Sequence, residues 1–294
     1  MQNKQQKIVI TGHKGFIGSR LYNLYKNDPF YNLVGIDLKG DIPIDIRDYK
    51  NLREACKDAS VIYHLAAISS FKACDDDPNA AGTTNIQGTE NVYKVAKEFN
   101  SRVIFASSAG IYGNQDTPCS EYFFPDPQGY YATTKLEGEV IAGKYLAEGV
   151  ITTILRMFNV YGKGANPSYA GVVSNFVKRA MNNEPLIITG EGNQKRDFIY
   201  VDDVVDMFQT VYSRSFSSQY PLTLNVGTGQ TTTIFDLAST VIGLTGSASK
   251  IIFSDADPGV LHSEANISSV KMHWQYPPIN IVTGLSRMIK ELTK

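Results

Sequence analysis

KIVITGHKGFIG, residues 7–18, holds the change of pattern on which the fold turns. Ile8, Val9 and Ile10 form an unbroken apolar run, which predicts a strand buried on both faces. Gly12, Gly15 and Gly18 follow at a spacing of three, and Phe16, Ile17, Leu21, Leu24 and Tyr25 then recur with helical period. Strand, glycine turn and helix in this order aim backbone N–H groups and the positive end of a helix dipole at one point, where a phosphate can sit. The missing Cβ atoms let the backbone approach a ligand and let the helix pack on the strand.

A second apolar segment, Leu33 to Ile36, ends in Asp37, 19 residues beyond Gly18. A carboxylate at that place accepts both hydroxyls of an adenosine ribose and repels a 2′-phosphate. The unit therefore predicts a dinucleotide site, with NAD rather than NADP as the cofactor.

The alternation continues along the chain. Helical segments are expected over Asn51 to Asp58, Asn85 to Phe99 and Tyr131 to Leu146, and strands over Val61 to Ala67, Val103 to Ala106 and Ile151 to Arg156. Strands alternating with helices of this length predict an α/β fold, a doubly wound parallel sheet of the Rossmann type. Ligands of such sheets bind beyond the carboxyl ends of the strands, where Asp37, Ala66, Ser108 and Asn159 all fall.

After Tyr161 the pattern loosens into a smaller C-terminal α+β lobe for substrate. Expected there are a helix over Val172 to Asn182, a hairpin-like segment from Pro185 running into a helix capped by Asp202 or Asp203, and a strand over Leu222 to Val226. Further segments follow at Thr232 to Leu244, Ile251 to Ser254 and Ile281 to Leu292. The two parts interleave, with the cofactor domain over residues 1–165 and 199–229 and the lobe over 166–198 and 230–294.

Size and composition agree with an unstapled globular enzyme. A chain of 294 residues buries roughly three quarters of its unfolded surface. Its formal charge of −1 gives no footprint for nucleic acid or membrane. The polar start MQNKQQK and the lack of a long apolar run lead us to expect a soluble, cytoplasmic protein. Cys56, Cys74 and Cys119 suggest no disulfide framework, and the four histidines have no metal-ligand spacing, so no metal is expected.

Three Tyr-x-x-x-Lys pairs occur: Tyr22/Lys26, Tyr93/Lys97 and Tyr131/Lys135. Residues at this spacing share a helix face. Only Tyr131/Lys135 begins a helix just after the strand that ends in Ser107 and Ser108. A phenol is a weak base at neutral pH. An ammonium fixed nearby and an oxidised nicotinamide would both lower its pKa, while Ser108 would orient a reacting hydroxyl toward it.

These motifs together resemble an extended short-chain dehydrogenase/reductase of the NAD-dependent sugar epimerase/dehydratase family. TGHKGFIG at Thr11 to Gly18, Asp37, Asp45-Ile46, HLAA at His64 to Ala67, NIQGT at Asn85 to Thr89 and SSAGIYG at Ser107 to Gly113 match in family order. So do YATTK at Tyr131 to Lys135, RMFNVYG at Arg156 to Gly162 and GEGNQKRDFIYVDD at Gly190 to Asp203. The resemblance implies that Ser108, Tyr131 and Lys135 are catalytic. For the cofactor it implies Gly12, Gly15, Phe16, Ile17, Gly18, Asp37, Asp45, Ile46, Leu65, Ala66, Ala67, Asn85 and Phe158, with Tyr131 and Lys135. For substrate, a nucleoside diphosphate-sugar, it implies Ser70, Asn159 and Arg196 beside Ser108 and Tyr131. Arg196 could instead pair with Asp197, Asp202 or Asp203. Homodimers through the helices near Asn85 to Phe99 and Tyr131 to Leu146 are common in the family.

Two departures bear on the reaction. Family dehydratases and decarboxylases carry an acid just after the serine or threonine, where this chain has Ala109 and Gly110; dehydration is disfavoured. Asp257 stands where an arginine often grips phosphate, leaving Arg196 alone or the substrate atypical. The expected activity is an NAD-dependent nucleotide-sugar epimerase acting at C4 through a transient keto intermediate. The alternatives are a dehydrogenase or ketoreductase on a sugar or other secondary alcohol, and a non-catalytic NAD-binding protein.

Overall fold

A computed structural model of the chain describes residues 5–40, 43–165, 171–213, 222–256, 259–274 and 277–293. The chain forms two compact units. The first comprises Met1–Ile111, Pro127–Arg156 and Val205–Leu224, and the second Tyr112–Asp126, Met157–Val204 and Asn225–Lys294. Among the described residues no helix is long and apolar enough to cross a membrane.

The first unit is built on β1 (Gln6–Thr11), β2 (Tyr31–Ile36), β3 (Val61–His64), β4 (Arg102–Ser108), β5 (Thr152–Met157) and β6 (Leu222–Val226). Their order across the parallel sheet is β6-β5-β4-β3-β1-β2. β1 lies parallel to β2, with Thr11 opposite Ile36, and parallel to β3, with Thr11 opposite His64. β3 in turn pairs with β4, His64 opposite Phe105. The chain leaves β1 toward one edge for β2 and returns to its other side for β3. That reversal opens a crevice beyond the carboxyl ends of β1 and β3.

Burial explains the apolar runs. Ile8 to Thr11 and Val61 to His64 are buried throughout, whereas edge strand β2 is only partly covered. Val9, Ile62, Val103, Phe105 and Ile154 of the sheet share one core with Leu52, Val92, Val95 and Ile141 of three covering helices. Those helices are Tyr49–Cys56, Gly88–Glu98 and Tyr130–Ala147. Asp48 caps the first of them by accepting from Asn51 N at 3.2 Å.

Two local expectations are revised. β3 stops at His64 rather than Ala67, because Leu65 N and Ala66 N turn out of the sheet to bond Thr11 Oγ1. The helix expected from Asn85 starts at Pro78, with Asp77 accepting from Ala80 N at 2.9 Å. It widens into a π turn over Thr83–Gln87 before continuing to Glu98. An extra residue per turn breaks the 3.6-residue period, which is why apolar spacing showed only its second half.

In the second unit, the segment from Pro185 forms no hairpin. Leu186–Thr189 pairs in parallel with Ile251–Ser254. Lys195–Arg196 pairs with Thr232–Thr233 and His262–Ser263, and Phe198–Tyr200 with Asn159–Tyr161. Three short strands in a row thus find separate partners. The helix that follows begins at Val201, so Asp202 and Asp203 lie in its first turn rather than at its cap. Asp203 Oδ2 accepts from Ile279 N at 2.9 Å.

The tightest approach in the first unit is at Gly18, where a Cβ would stand 2.1 Å from the Gly12 carbonyl oxygen. Backbone must move to admit it. Gly18→Ala should cost about 1–3 kcal/mol, as overpacking does, and should weaken NAD binding. Urea unfolding and cofactor titration check this; two unchanged values would mean that the loop accepts a methyl group without shifting.

Candidate active site

The glycine loop sits at the crevice between β1 and β3. Gly12 has φ +74°, and a Cβ there would meet Ala66 N at 2.8 Å, so the loop lies directly on the end of β3. Gly12 N donates to Ile36 O at 2.7 Å and Gly15 N to Gly12 O at 2.9 Å, closing the turn. The helix Phe16–Tyr25 then begins at Gly15 with no side-chain cap, leaving its first N–H groups for an anion. Phe16 and Ile17 are half-buried in its first turn. Asp37 accepts from Lys14 N at 2.9 Å and Lys39 N at 3.0 Å, which fixes its carboxylate beside this loop.

Asp45 and Ile46 hold the next corner in a different way. Asp45 accepts from Arg47 N at 2.8 Å and is ion-paired with the Arg47 guanidinium, whose hydrogen bonds hold its carboxyl below the usual range. The Ile46 side chain belongs to the hydrophobic core.

Beneath the crevice runs a buried hydrogen-bond chain that sequence reading missed. Thr11 Oγ1 lies 2.8 Å from His64 Nδ1, and His64 Nε2 lies 2.9 Å from Thr89 Oγ1. Thr89 Oγ1 donates to Asn85 O at 2.5 Å. Asn85 Nδ2 donates to Ile68 O and Thr134 Oγ1, both at 3.0 Å, and Asn85 Oδ1 accepts from Ile68 N at 2.8 Å. Thr134 Oγ1 donates to Tyr131 O at 2.8 Å. Each hydroxyl has one proton to give, which sets the direction throughout. Thr89 gives its proton to Asn85, so it receives one from His64; His64 is then protonated on Nε2 and accepts from Thr11 on Nδ1. Burial pushes the His64 pKa down to about 3, so the imidazole is neutral. The signal in the sequence was the polar residue inside each apolar run, Thr11 and His64, and the threonine spacing in NIQGT.

Ser108, Tyr131 and Lys135 do meet. Ser108 ends β4, and its side chain is hydrogen-bonded to that of Tyr131 in the first turn of the helix Tyr130–Ala147. Ser108 Oγ also accepts from Gly110 N at 3.1 Å. Lys135 Nζ donates to Ala106 O at 2.8 Å and lies 5.9 Å from the centre of the Tyr131 ring. One turn further, Glu139 accepts from Ser107 Oγ at 2.5 Å and pairs with Arg156 at 2.7 Å; the pair's side chains are 8% and 7% exposed. This buried pair ties the helix Tyr130–Ala147 to β4 and β5. The other two Tyr-x-x-x-Lys pairs serve packing: Tyr93 is buried against Tyr145, and Tyr22 lies beside His13.

Burial governs the electrostatics of Tyr131 and Lys135. Burial pushes the Tyr131 phenol up to about 12, opposed by its hydrogen bond to Ser108. Burial likewise pushes the Lys135 ammonium down to about 8. Desolvation thus disfavours the charged forms of both groups.

Ser70 and the residues of the second unit stand as follows. Ser70 Oγ caps the helix Phe71–Asp76, accepting from Ala73 N at 3.1 Å. Phe158 is buried beside Tyr112, and its N–H donates to Val226 O at 3.0 Å. Asn159 donates to Asp197 O from its backbone at 3.0 Å and its side chain at 3.1 Å. Arg196 donates to Lys195 O at 2.9 Å and, among the described residues, forms no ion pair. Asp197 is fully buried and accepts instead from Thr228 N, Thr228 Oγ1, Gly229 N and Ala265 N. Asp257 lies outside the described residues.

A model of the NAD-dependent epimerase/dehydratase family matches residues 8–227. The chain belongs to that family. It is 31% identical over 275 residues to a UDP-N-acetyl-alpha-D-glucosaminuronate decarboxylase of Bacillus cytotoxicus, covering 84% of this chain and 83% of the relative. Its fold matches the UDP-glucose 4-epimerase of Thermotoga maritima with a TM-score of 0.92 at 25% identity, covering 98% and 99% of the two chains. It also matches a UDP-glucuronic acid 4-epimerase from Bacillus cereus, solved with UDP-glucuronic acid and NAD, at TM-score 0.88 and 28% identity over 98% and 100%. The close-packed Gly12 and Gly18, the uncapped helix start and Asp37 suit this dinucleotide. NAD is the cofactor.

The Lys135 shift has a sign that can be checked. The unfolded chain keeps this lysine charged to about 10.4, whereas the fold releases its proton near 8. Between those values the unfolded state holds the extra proton, so this contribution to stability rises with pH. Below about 8 both states are protonated and the slope vanishes. In urea unfolding without cofactor, wild type should gain about 2 kcal/mol on Lys135→Met between pH 8 and 10. Using the difference cancels the buried tyrosines, which act with opposite sign above pH 10. A difference that stays flat would mean that Lys135 remains charged in the fold.

Proposed function

We propose that the chain is a nucleotide-sugar epimerase that inverts C4 through a transient keto sugar. The observation that carries this reading is the pairing of an intact Ser108, Tyr131 and Lys135 group with Ala109 and Gly110 beyond it. Proton and hydride transfer at a carbinol are provided for, while the carboxylate that elimination or decarboxylation would use next to the serine is not. Relatives named as decarboxylases leave that alternative in the family, and this stretch is what argues against it.

Ser108 orients the C4 hydroxyl toward Tyr131. Tyr131 takes the hydroxyl proton as the C4 hydrogen leaves as hydride, and returns a proton to the oxygen of the keto sugar when hydride comes back to the opposite face. Protons and electrons therefore balance within one cycle. Bound NAD supplies the hydride acceptor and, with its cationic ring, favours the phenolate. The glycine loop, Asp37 and Lys135 would hold it. Lys135, anchored on Ala106 O, also fixes the distance of a positive charge from the phenol.

Arg196 is the proposed partner of the substrate diphosphate, through paired charge-assisted bonds. We also propose a homodimer through the helices of residues 78–98 and 130–147. A surface groove of about 490 Å³ lined by Pro78, Ile86, Tyr130 and Ile141 lies between them, and Val140 is exposed.

The purified protein, incubated with UDP-, GDP- and dTDP-hexoses without added cofactor, should invert C4 of one of them by NMR. Tyr131→Phe should abolish that turnover while still binding NAD. Stoichiometric NADH consumption with a keto substrate, and no inversion, would replace epimerase by ketoreductase. Arg196→Ala should weaken binding of the nucleotide sugar by about 2–5 kcal/mol and leave NAD affinity unchanged. Calorimetry on both ligands decides this, and an unaltered sugar affinity removes Arg196 from the site.

A further inference from the structure

Phe71 takes no part in the chemistry above, yet its ring stands at the reacting groups. It meets the Tyr131 ring edge-on with centroids 5.0 Å apart and is 47% exposed. The point a Cβ on Gly110 would occupy is 3.2 Å from Phe71 Cζ, 3.3 Å from Ser108 Oγ and 3.6 Å from Ala132 Cβ. The ring tip and the serine hydroxyl therefore border one small space. Phe71 fills the part of it that a side chain at position 110 would need.

The space beside Phe71 is bordered by methyl groups and by a carboxylate: a Cβ on Gly129 would stand 3.5 Å from Phe71 Cδ1 and 3.9 Å from Asp75 Oδ1. Ala109 and Ala132 contribute methyl groups, and Gly110 N–H already donates to Ser108 Oγ. Nearby cations are engaged: Lys135 with Ala106 O, Lys72 with Asp76, Arg156 with Glu139. In a sugar reacting at C4, the exocyclic C6 is two bonds away. A C6 carboxylate there would lose hydration against an aromatic ring and, among the described residues of the first unit, would approach the Asp75 carboxylate, whereas a hydroxymethyl or methyl group would pack on the ring.

We infer that Phe71 is a specificity-determining residue that turns the site toward nucleoside diphosphate-sugars with a neutral C6 and against hexuronates. This rests on the C4-epimerase reading. It separates the chain from the relatives described as acting on or binding uronic acids.

The test compares UDP-glucose with UDP-glucuronate, by turnover and by equilibrium binding to the NAD-loaded protein. Wild type, Phe71→Ser and Phe71→Leu are each measured. Wild type should favour UDP-glucose by about tenfold to a hundredfold, the cost of burying an unpartnered polar group. Phe71→Ser should narrow that ratio at least about fivefold, and Phe71→Leu, which keeps an apolar wall, should preserve it. Equal acceptance of both sugars by wild type, or a ratio unchanged in Phe71→Ser, overturns the role of Phe71 and leaves the epimerase reading intact. Discrimination in binding without any inversion overturns the epimerase reading and leaves the role of Phe71. Failure of both sugars to bind overturns both.

Discussion

The neutral imidazole of His64 is the interaction on which the crevice depends. It joins Thr11, at the start of the glycine turn, to Thr89, inside the helix that carries the π turn. Through Asn85 the same chain reaches Thr134 and the first turn of the helix Tyr130–Ala147. Four segments far apart in sequence are thus fixed to one another by bonds whose direction leaves no donor to spare. A buried polar chain of this kind is stabilising only when complete, since an unpaired member in a low-dielectric interior costs about 1–3 kcal/mol. A charged His64 would have no acceptor left on Nδ1. Its pKa near 3 keeps it neutral across the range in which the fold operates.

The same low dielectric sets the balance at Tyr131 and Lys135. Each pKa unit corresponds to about 1.4 kcal/mol, so a phenol raised from 10 to about 12 is held neutral by a few kcal/mol. The ammonium that would help to ionise it is itself penalised by burial. Burial opposes the charged form of each, so a further positive charge entering the crevice would favour the phenolate. The protein supplies rigid placement and a dry setting, and the oxidised cofactor's charge counts for more there than it would in water.

Much of this was legible in sequence because its cause is local. A run such as Ile8 to Ile10 buries on both faces wherever it goes, and Gly18 is needed by its contact with Gly12 in the same turn. Ser108 and Tyr131 could be paired because each stands at the end of a regular element. What escaped the reading depends on long-range partners. The strands after Pro185 looked like a hairpin because adjacency is the usual rule, yet their partners lie 36 to 67 residues further on or back in Asn159–Tyr161. Glu139 and Phe71 carry no motif of their own. Their roles arise from what Arg156 and Gly110 place beside them.

Arg196 and Asp197 show how local geometry can reserve a charge. Adjacent opposite charges invite a salt bridge, but consecutive side chains of an extended segment point to opposite faces. Asp197 turns inward, where three backbone N–H groups and the Thr228 hydroxyl satisfy it. Burial still raises its pKa, with those hydrogen bonds opposing. An arginine on that inner face would have to be desolvated as well, and a buried ion pair does not repay such a cost unless every remaining donor is satisfied. Backbone donors do the work without bringing in a second charge. The Arg196 guanidinium is left on the other face with, among the described residues, the Lys195 carbonyl as its acceptor, its pKa lowered by partial burial. A cation in that state gains more from a diphosphate than one already held by a carboxylate, because no internal pair has to be broken first.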